Sequence, residues 1–368
     1  MSRVQEQSRG FSLVELLTVI AIIALVISII IPVLGGARDA GRRVSTQGLL
    51  SDIANAASKF KLDNNGRNPG YFSEREMGSA DNATRGMSGM ENAMLDLGGQ
   101  KAIVASAGAG IVSVGPIANQ AIFVNPNLVG ADEGAYFKPS REYFVAQTSP
   151  GQQVGVSGHT SSSENDPQLL DVVDSFGQPV LFWSADTHTV PQARSAANFA
   201  SIATGAAQPA MFYWNSNAAF LQANNLGRKG EDMTLSPTPG QKASLIGSGA
   251  GTTDRESTLR ALLGSASAPA TGSGSTVDQV LSSPSMAAIQ GLFPARGRGA
   301  FVVHAAGRDG IYLSAKDRGF GSTNLSGNRL DYGMNFFQSA NARLLDDENK
   351  PSSRDVASEF DDIIVSGN

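Results

Sequence analysis

The residues best placed to do chemistry stand near the start of the chain, in Arg9-Gly10-Phe11-Ser12-Leu13-Val14-Glu15. Gly10 marks the border between a short polar leader, residues 1–9, and an apolar run over residues 11–34. Hydrolysis of the bond after Gly10 would create a new amino group on Phe11, four residues from Glu15, the one charged residue of that run. A carboxylate at the centre of a membrane helix costs roughly 2.5 to 3.5 kcal/mol, less near an end, so Glu15 calls for a positive partner. Residues four apart share a helix face. Two such helices packed side by side and staggered along their axes can pair the amine of one with the carboxylate of the other, which neutralises both in lipid. The chemistry encoded here is proteolytic maturation followed by ion-paired self-association.

Other sites for chemistry are lacking. His159, His188 and His304 are far apart and fit no metal-ligand spacing, and the absence of cysteine removes thiolate sites and disulfides. Gly247-Ser248-Gly249-Ala250-Gly251 has the composition of a phosphate loop but not the lysine that follows one. No Gly-x-Ser-x-Gly elbow with a base is present, and an enzyme is not expected. A net charge of −5, with Arg296 and Arg298 as a lone basic pair, argues against nucleic acid as a partner.

The elements that must position Phe11 and Glu15 are legible. A run of 24 residues, 11–34, exceeds the roughly 20 that span a bilayer's hydrocarbon core. Pro32 lies near its end. A secretory signal cut after Gly35-Gly36-Ala37, leaving Arg38 first, is the competing reading, but an acid inside so long an apolar stretch is foreign to such signals. Arg3 and Arg9 against Glu6 precede the run, and Arg38, Arg42 and Arg43 against Asp39 follow it, so charge alone slightly favours an outward amino terminus. Val44, Leu49, Ile53, Ala56 or Ala57, and Phe60 continue at helical spacing, and Asp63-Asn64-Asn65-Gly66 with Pro69 provides a stop. One helix over residues 11 to about 62, roughly 80 Å long, is expected, its second half amphipathic and packed on a folded domain.

Residues 71–140 are rich in small and polar residues, with a short helix expected at 90–97. Strands are expected at 142–147, 179–185 and 211–215, and a hairpin joins 300–304 to 311–314 around Arg308-Asp309-Gly310. The Ser, Gly, Ala, Thr and Pro content of 236–285 reads as a flexible loop with one short helix at 256–263.

The segment from Gly10 through Glu15 and its apolar sequel closely resembles the prepilin signature of the type IV pilin superfamily, with Pro32 where that family's helix is kinked. Ser51 to Asn64, the Asn68-Pro69-Gly70-Tyr71 turn, Asp174-Ser175-Phe176-Gly177-Gln178-Pro179-Val180 and Ala305-Ala306-Gly307-Arg308-Asp309-Gly310-Ile311-Tyr312 are, in that order, similar to segments of the major pseudopilin of type II secretion systems. The resemblance implies a prepilin peptidase that cuts after Gly10 and methylates Phe11, and a Glu15 that guides subunit addition. It further implies an inward amino terminus, a bilayer anchor in the bacterial inner membrane, and a large extracytoplasmic domain. The implied partners are membrane lipid, further copies of the chain in a filament, minor pseudopilins and an inner-membrane assembly platform.

Calcium is implied too, since the family's carboxy-terminal loop holds that ion with carboxylates and carbonyls. The matching residues are Asp309, Asp361 and Asp362, interrupted by an insertion that includes residues 341–350. The expected fold class is α+β, pilin-like, with a long helix on an antiparallel sheet and long inserted loops. Its expected parts are a leader 1–10, a membrane half 11–34 and an amphipathic half 35–64 of the helix, a variable region 65–170, and a sheet domain 171–368 with a flexible insertion at about 236–285. A type IV or competence pilin, and a membrane-tethered exoplasmic binding protein that never polymerises, are the alternatives.

Overall fold

The computed structural model describes residues 12–146, 169–186, 199–202, 209–221, 244–247, 251–266, 269–272, 274–314, 330–341 and 360–367. Gly10, Phe11, His159, His188 and most of the 341–350 insertion lie outside them. The chain divides into two units, Met1–Val44 and Ser45–Asn368. The first contains the opening part of helix α1 (Leu13–Asp63), whose helical backbone runs through Pro32 and Gly35-Gly36.

Within the second unit α1 is amphipathic. Leu50, Ile53, Ala57 and Phe60 are buried while Asp52, Asn55 and Lys59 face out. The expected stripe is therefore present from Leu49 onward, but Val44 does not belong to it and is 73% exposed. The helix stops where expected: Gly66 N–H donates to Lys61 O at 2.9 Å, and Asn65 and Gly66 both adopt positive φ, 54° and 82°.

Three short helices follow, α2 (Glu74–Met77), α3 (Ala80–Arg85) and α4 (Gly89–Leu97). Ser73, Ser79 and Ser88 cap them, and the first and last are closed by reciprocal bonds with Glu76 and Glu91. Helix α4 is the one expected at 90–97. Beyond it β1 (Ile103–Val104), β2 (Val112–Val114) and β3 (Ile122–Val124) form an antiparallel sheet in the order β1-β3-β2 over a small core of Phe72, Leu95, Ala102 and Val124.

Strands β4 (Phe144–Ala146) and β5 (Leu170–Val172) pair with each other. The Asp174–Pro179 turn leads into β6 (Leu181–Ser184): Asp174 Oδ1 accepts from Phe176 N at 2.9 Å and Gln178 N at 2.8 Å, and Gly177 sits at φ +84°. The amide of Ser175 donates to Thr46 Oγ1 of α1 at 3.2 Å. Next come β7 (Phe199–Ile202) paired with β8 (Ala210–Tyr213), helices α5 (Ala218–Leu221) and α6 (Thr252–Leu263), and β9 (Pro269–Thr271). Helices α7 (Val277–Ser282) and α8 (Met286–Gln290), then β10 (Leu292–Pro294), β11 (Phe301–Ala305), α9 (Tyr332–Asn341) and β12 (Ile363–Gly367) complete the series.

The central sheet has the order β12-β11-β6, antiparallel throughout, with Val303 opposite both Phe182 and Val365. One face receives α1 and α4, through Phe60, Met90, Met94, Phe182, Phe301 and Ile363. A second, larger core gathers Trp183, Phe212, Trp214, Leu262 and Tyr312.

Two expectations are corrected. Residues 311–314 are not the second strand of a hairpin: Leu313 adopts a positive φ of 50°, outside the strand region, and β11 pairs with β12 and β6 instead. Gly307 and Gly310 turn the chain, yet the place beside β11 is taken by β12, and Ser314 bridges to Ser244 instead. The span 236–285 is less loop-like than expected: the short helix expected at 256–263 is present as α6, and 251–285 also contains β9 and α7. Its small residues conceal an apolar face, Leu259, Leu262 and Leu263, that packs against β7.

Candidate functional site

Two clusters carry the residues singled out by sequence. The first lies in the second unit, where β11 meets the start of β12. Asp361 Oδ2 accepts from Asp309 N at 2.8 Å, and Asp309 Oδ1 accepts from Ile311 N at 2.8 Å, closing the turn on itself. Asp362 points the other way, into the core. Its Oδ2 accepts from Leu313 N at 3.0 Å and forms a short hydrogen bond with His304 Nε2.

His304 and Asp362 are buried, and burial pushes the imidazole down to about 3. The ring is therefore neutral at ordinary pH and donates through Nε2, leaving Nδ1 as a bare acceptor with no partner among the described residues. Tyr312 stacks edge-on against His304 at 5.5 Å and donates its hydroxyl to Pro179 O. Burial, then the nearby Asp174, Asp171 and Asp362, hold this phenol well above its usual value. Asp309 and Asp361 share the turn while Asp362 faces His304 and Leu313, and each carboxylate accepts from the fold's own donors. Among the described residues no group of three acidic, histidine or cysteine side chains converges as a cation site.

The second cluster opens α1. Ser12 N–H donates to Glu15 Oε2 at 2.8 Å, and Glu15 N–H donates to Ser12 Oγ at 3.2 Å. This reciprocal pair is a capping box, which satisfies two of the amide groups that every helix start leaves open and places a negative charge at the positive end of the helix dipole. The carboxylate thus turns back toward the residue that follows Phe11, with its side chain exposed rather than buried against the chain's own protein.

From Leu13 to Ile27, and again at Ile30, the large apolar side chains are exposed on every side of the helix; Leu13 reaches 78% and Leu25 64%. Among the described residues no helix is long and apolar enough to cross a membrane. The described side chains run unbroken from Ser12 to Ser28, and Ile29 with residues 31–34 completes the apolar run in sequence only.

Residues 7–31 match the model of the prokaryotic N-terminal methylation motif. The motif marks a type IV pilin-like, prepilin-processed amino terminus, and the capping box falls inside it. No curated protein and no solved structure matches the chain. Two participants escaped the reading of the sequence. Ser12 stands three residues before Glu15, the Ser-x-x-Glu spacing of a capping box, which was open to view. The partnership of His304 with Asp362, 58 residues apart, has no local signal.

Proposed function

We propose that this chain is the structural subunit of a filament of the type II secretion pseudopilus kind, anchored in the inner membrane by its methylation-motif helix. Prepilin peptidase would cut after Gly10 and methylate the amine of Phe11. The observation that carries the reading is the methylation motif joined to a helix whose apolar side chains are exposed all round. A helix apolar on every face needs lipid or sister helices around it. Glu15, held at the mouth of that helix, is the acceptor for the amine of a neighbouring copy. The partners that follow are further copies, minor pseudopilins, the assembly platform and membrane lipid. The role is mechanical rather than catalytic, with the second unit displayed outside the membrane.

Calcium, if it has a part, would be a structural guest at the Asp309–Asp361 turn. That turn is already closed by hydrogen bonds, so an ion is not needed to pin β12. The deciding experiment is the intact mass and amino-terminal peptide of the protein from native membranes. A chain starting at Phe11 with one added methyl supports the reading, and a start at Arg38 or an uncut Met1 refutes it.

A further inference from the structure

Asn65-Gly66 is the one Asn-Gly pair in the chain, and it has no part in the filament proposed above. It closes α1 within the second unit. Both residues are exposed, and a Cβ built on Gly66 would meet nothing within 4 Å, so water reaches the pair from outside. An asparagine followed by glycine readily loses its side-chain amide, because glycine has no β-carbon to shield the attacking backbone nitrogen. Base removes the Gly66 amide proton, and that nitrogen attacks Asn65 Cγ. A C–N bond forms, the side-chain nitrogen takes up a proton and leaves as ammonia, and a cyclic imide remains. Water then opens the imide at either carbonyl, giving an aspartyl residue or an isoaspartyl residue whose backbone runs through Cβ. The balance is one water consumed and one ammonia released, with no oxidant or other co-reactant.

The fold withholds the nucleophile. With Asn65 at φ 54°, the Gly66 N–H donates to Lys61 O at 2.9 Å, the bond that closes the helix end. While it stands, the proton that must leave is held in a hydrogen bond. Asn64 braces the same turn, its Nδ2 donating to Phe60 O at 2.8 Å. The residues just beyond tie the end of α1 to the rest of the unit. Arg67 pairs with Asp96 at 2.8 Å, and Asn68 Nδ2 donates to Ser184 Oγ at 2.9 Å and to Ala300 O at 3.1 Å beside the central sheet.

We propose that Asn65 is a covalent modification site, deamidated only when the last turn of α1 opens, and that the product weakens the turn it came from. The new carboxylate stands two residues beyond Asp63, at the negative end of the helix dipole, where an anion is disfavoured. The isoaspartyl form also adds a carbon to the backbone ahead of Gly66, which draws its N–H out of register with Lys61 O. Ammonia escapes, so the change is not undone when the turn closes. Each chain therefore accumulates a lasting record of the openings of its helix end, whether it stands in a filament or alone.

The test follows position 65 by peptide mass mapping and isoaspartyl content in the full chain, kept in neutral detergent at mildly alkaline pH, folded or unfolded in guanidinium chloride. The proteins are the parent, Asn64→Ala and Asn65→Gly. Folded parent should convert at least about tenfold more slowly than unfolded parent, because only the opened turn reacts. Asn64→Ala, which removes the bond to Phe60 O, should convert about threefold to tenfold faster than the parent when folded and at the parent's rate when unfolded. Converted parent should unfold at lower urea than fresh parent, while Asn65→Gly, which tolerates positive φ and has no amide to lose, should keep its midpoint through the same incubation. Equal rates in folded and unfolded parent would overturn the control by the helix end. Conversion at Asn64 ahead of Asn65 in the unfolded chain, or none in either folded protein, would overturn the site itself. An unchanged urea midpoint in the converted chain would overturn the weakening of the turn.

Discussion

The buried His304–Asp362 pair makes the folded second unit sensitive to mild acid, and the size of the effect follows from its burial. In the unfolded chain the imidazole titrates near 6.5, and in the fold burial lowers it to about 3. Between those values the unfolded chain binds the proton and the folded chain does not. Stability is therefore full above about pH 6.5 and declines as pH falls toward 3, by about 1.4 kcal/mol per pH unit once below the unfolded value. From pH 7 to pH 5 the loss comes to about 2 kcal/mol.

Urea unfolding of the full chain in a neutral detergent, followed by the fluorescence of Trp183 and Trp214, reads this directly because both indoles sit in the large core. The comparison is His304→Gln, which keeps a donor for Asp362 but cannot titrate. The parent should lose about 2 kcal/mol between pH 7 and pH 5 beyond whatever the variant loses, since groups distant from His304 cancel in the difference. Parallel pH dependences for the two proteins would refute the assignment of a neutral, buried imidazole.

Further outcomes are expected from single changes. At Gly307 an added Cβ would lie 2.2 Å from Asp361 O at φ +68°, so Gly307→Ala should cost about 2 kcal/mol or more in urea unfolding, whereas Gly177→Ala, at φ +84° with open space around it, should cost only about 1 kcal/mol. Phe60→Ala, which empties the contact between α1 and the central sheet, should cost about 3 to 5 kcal/mol by the same measurement. Ser12→Ala should weaken the start of α1 by about 1 kcal/mol, seen as faster amide exchange at residues 13–16, with filament yield reduced less than by Glu15→Lys. Millimolar calcium should leave the thermal midpoint within about 1 °C, and a rise of several degrees would show an ion bound at the Asp309–Asp361 turn after all.

Much of the molecule was open to reading because local rules governed it. The long helix announced itself by composition in its first half and by spacing in its second, and its stop at Asn64-Asn65-Gly66 needed only residues that tolerate positive φ. The Ser-capped α4 and the Asp174–Pro179 turn were equally local. The misreadings arose where distance decided. Residues 311–314 have the apolar content of a strand, but the partner that claims the edge of β11 lies some 50 residues later in β12, and nothing near Ile311 records that competition. Val44 was counted with the helically spaced stripe yet falls just before its buried part begins at Leu49. In the glycine- and serine-rich stretch 236–285 the helix carrying Leu259, Leu262 and Leu263 was legible, whereas average composition hides β9 and α7. At the candidate sites, the Glu15 reading came from the cost of a carboxylate among apolar residues, while His304 became visible only when β12 brought Asp362 beneath it.

The central sheet is assembled from distant parts: β6 at residues 181–184 and β11 at 301–305 are joined, but the third strand is supplied by residues 363–367. Asp361 and Asp362, immediately before that strand, also hold the Asp309 turn and His304 in place. The unit therefore cannot reach its final form while those residues are still being synthesised or still threading through a translocation channel. Until they arrive, Val303 and its neighbours on β11 present an open, apolar strand edge, the kind of surface that pairs with whatever strand comes first. Completion of the fold is thus timed by the delivery of residues 361–367, and any process that delays them lengthens the interval in which a chaperone must guard β11.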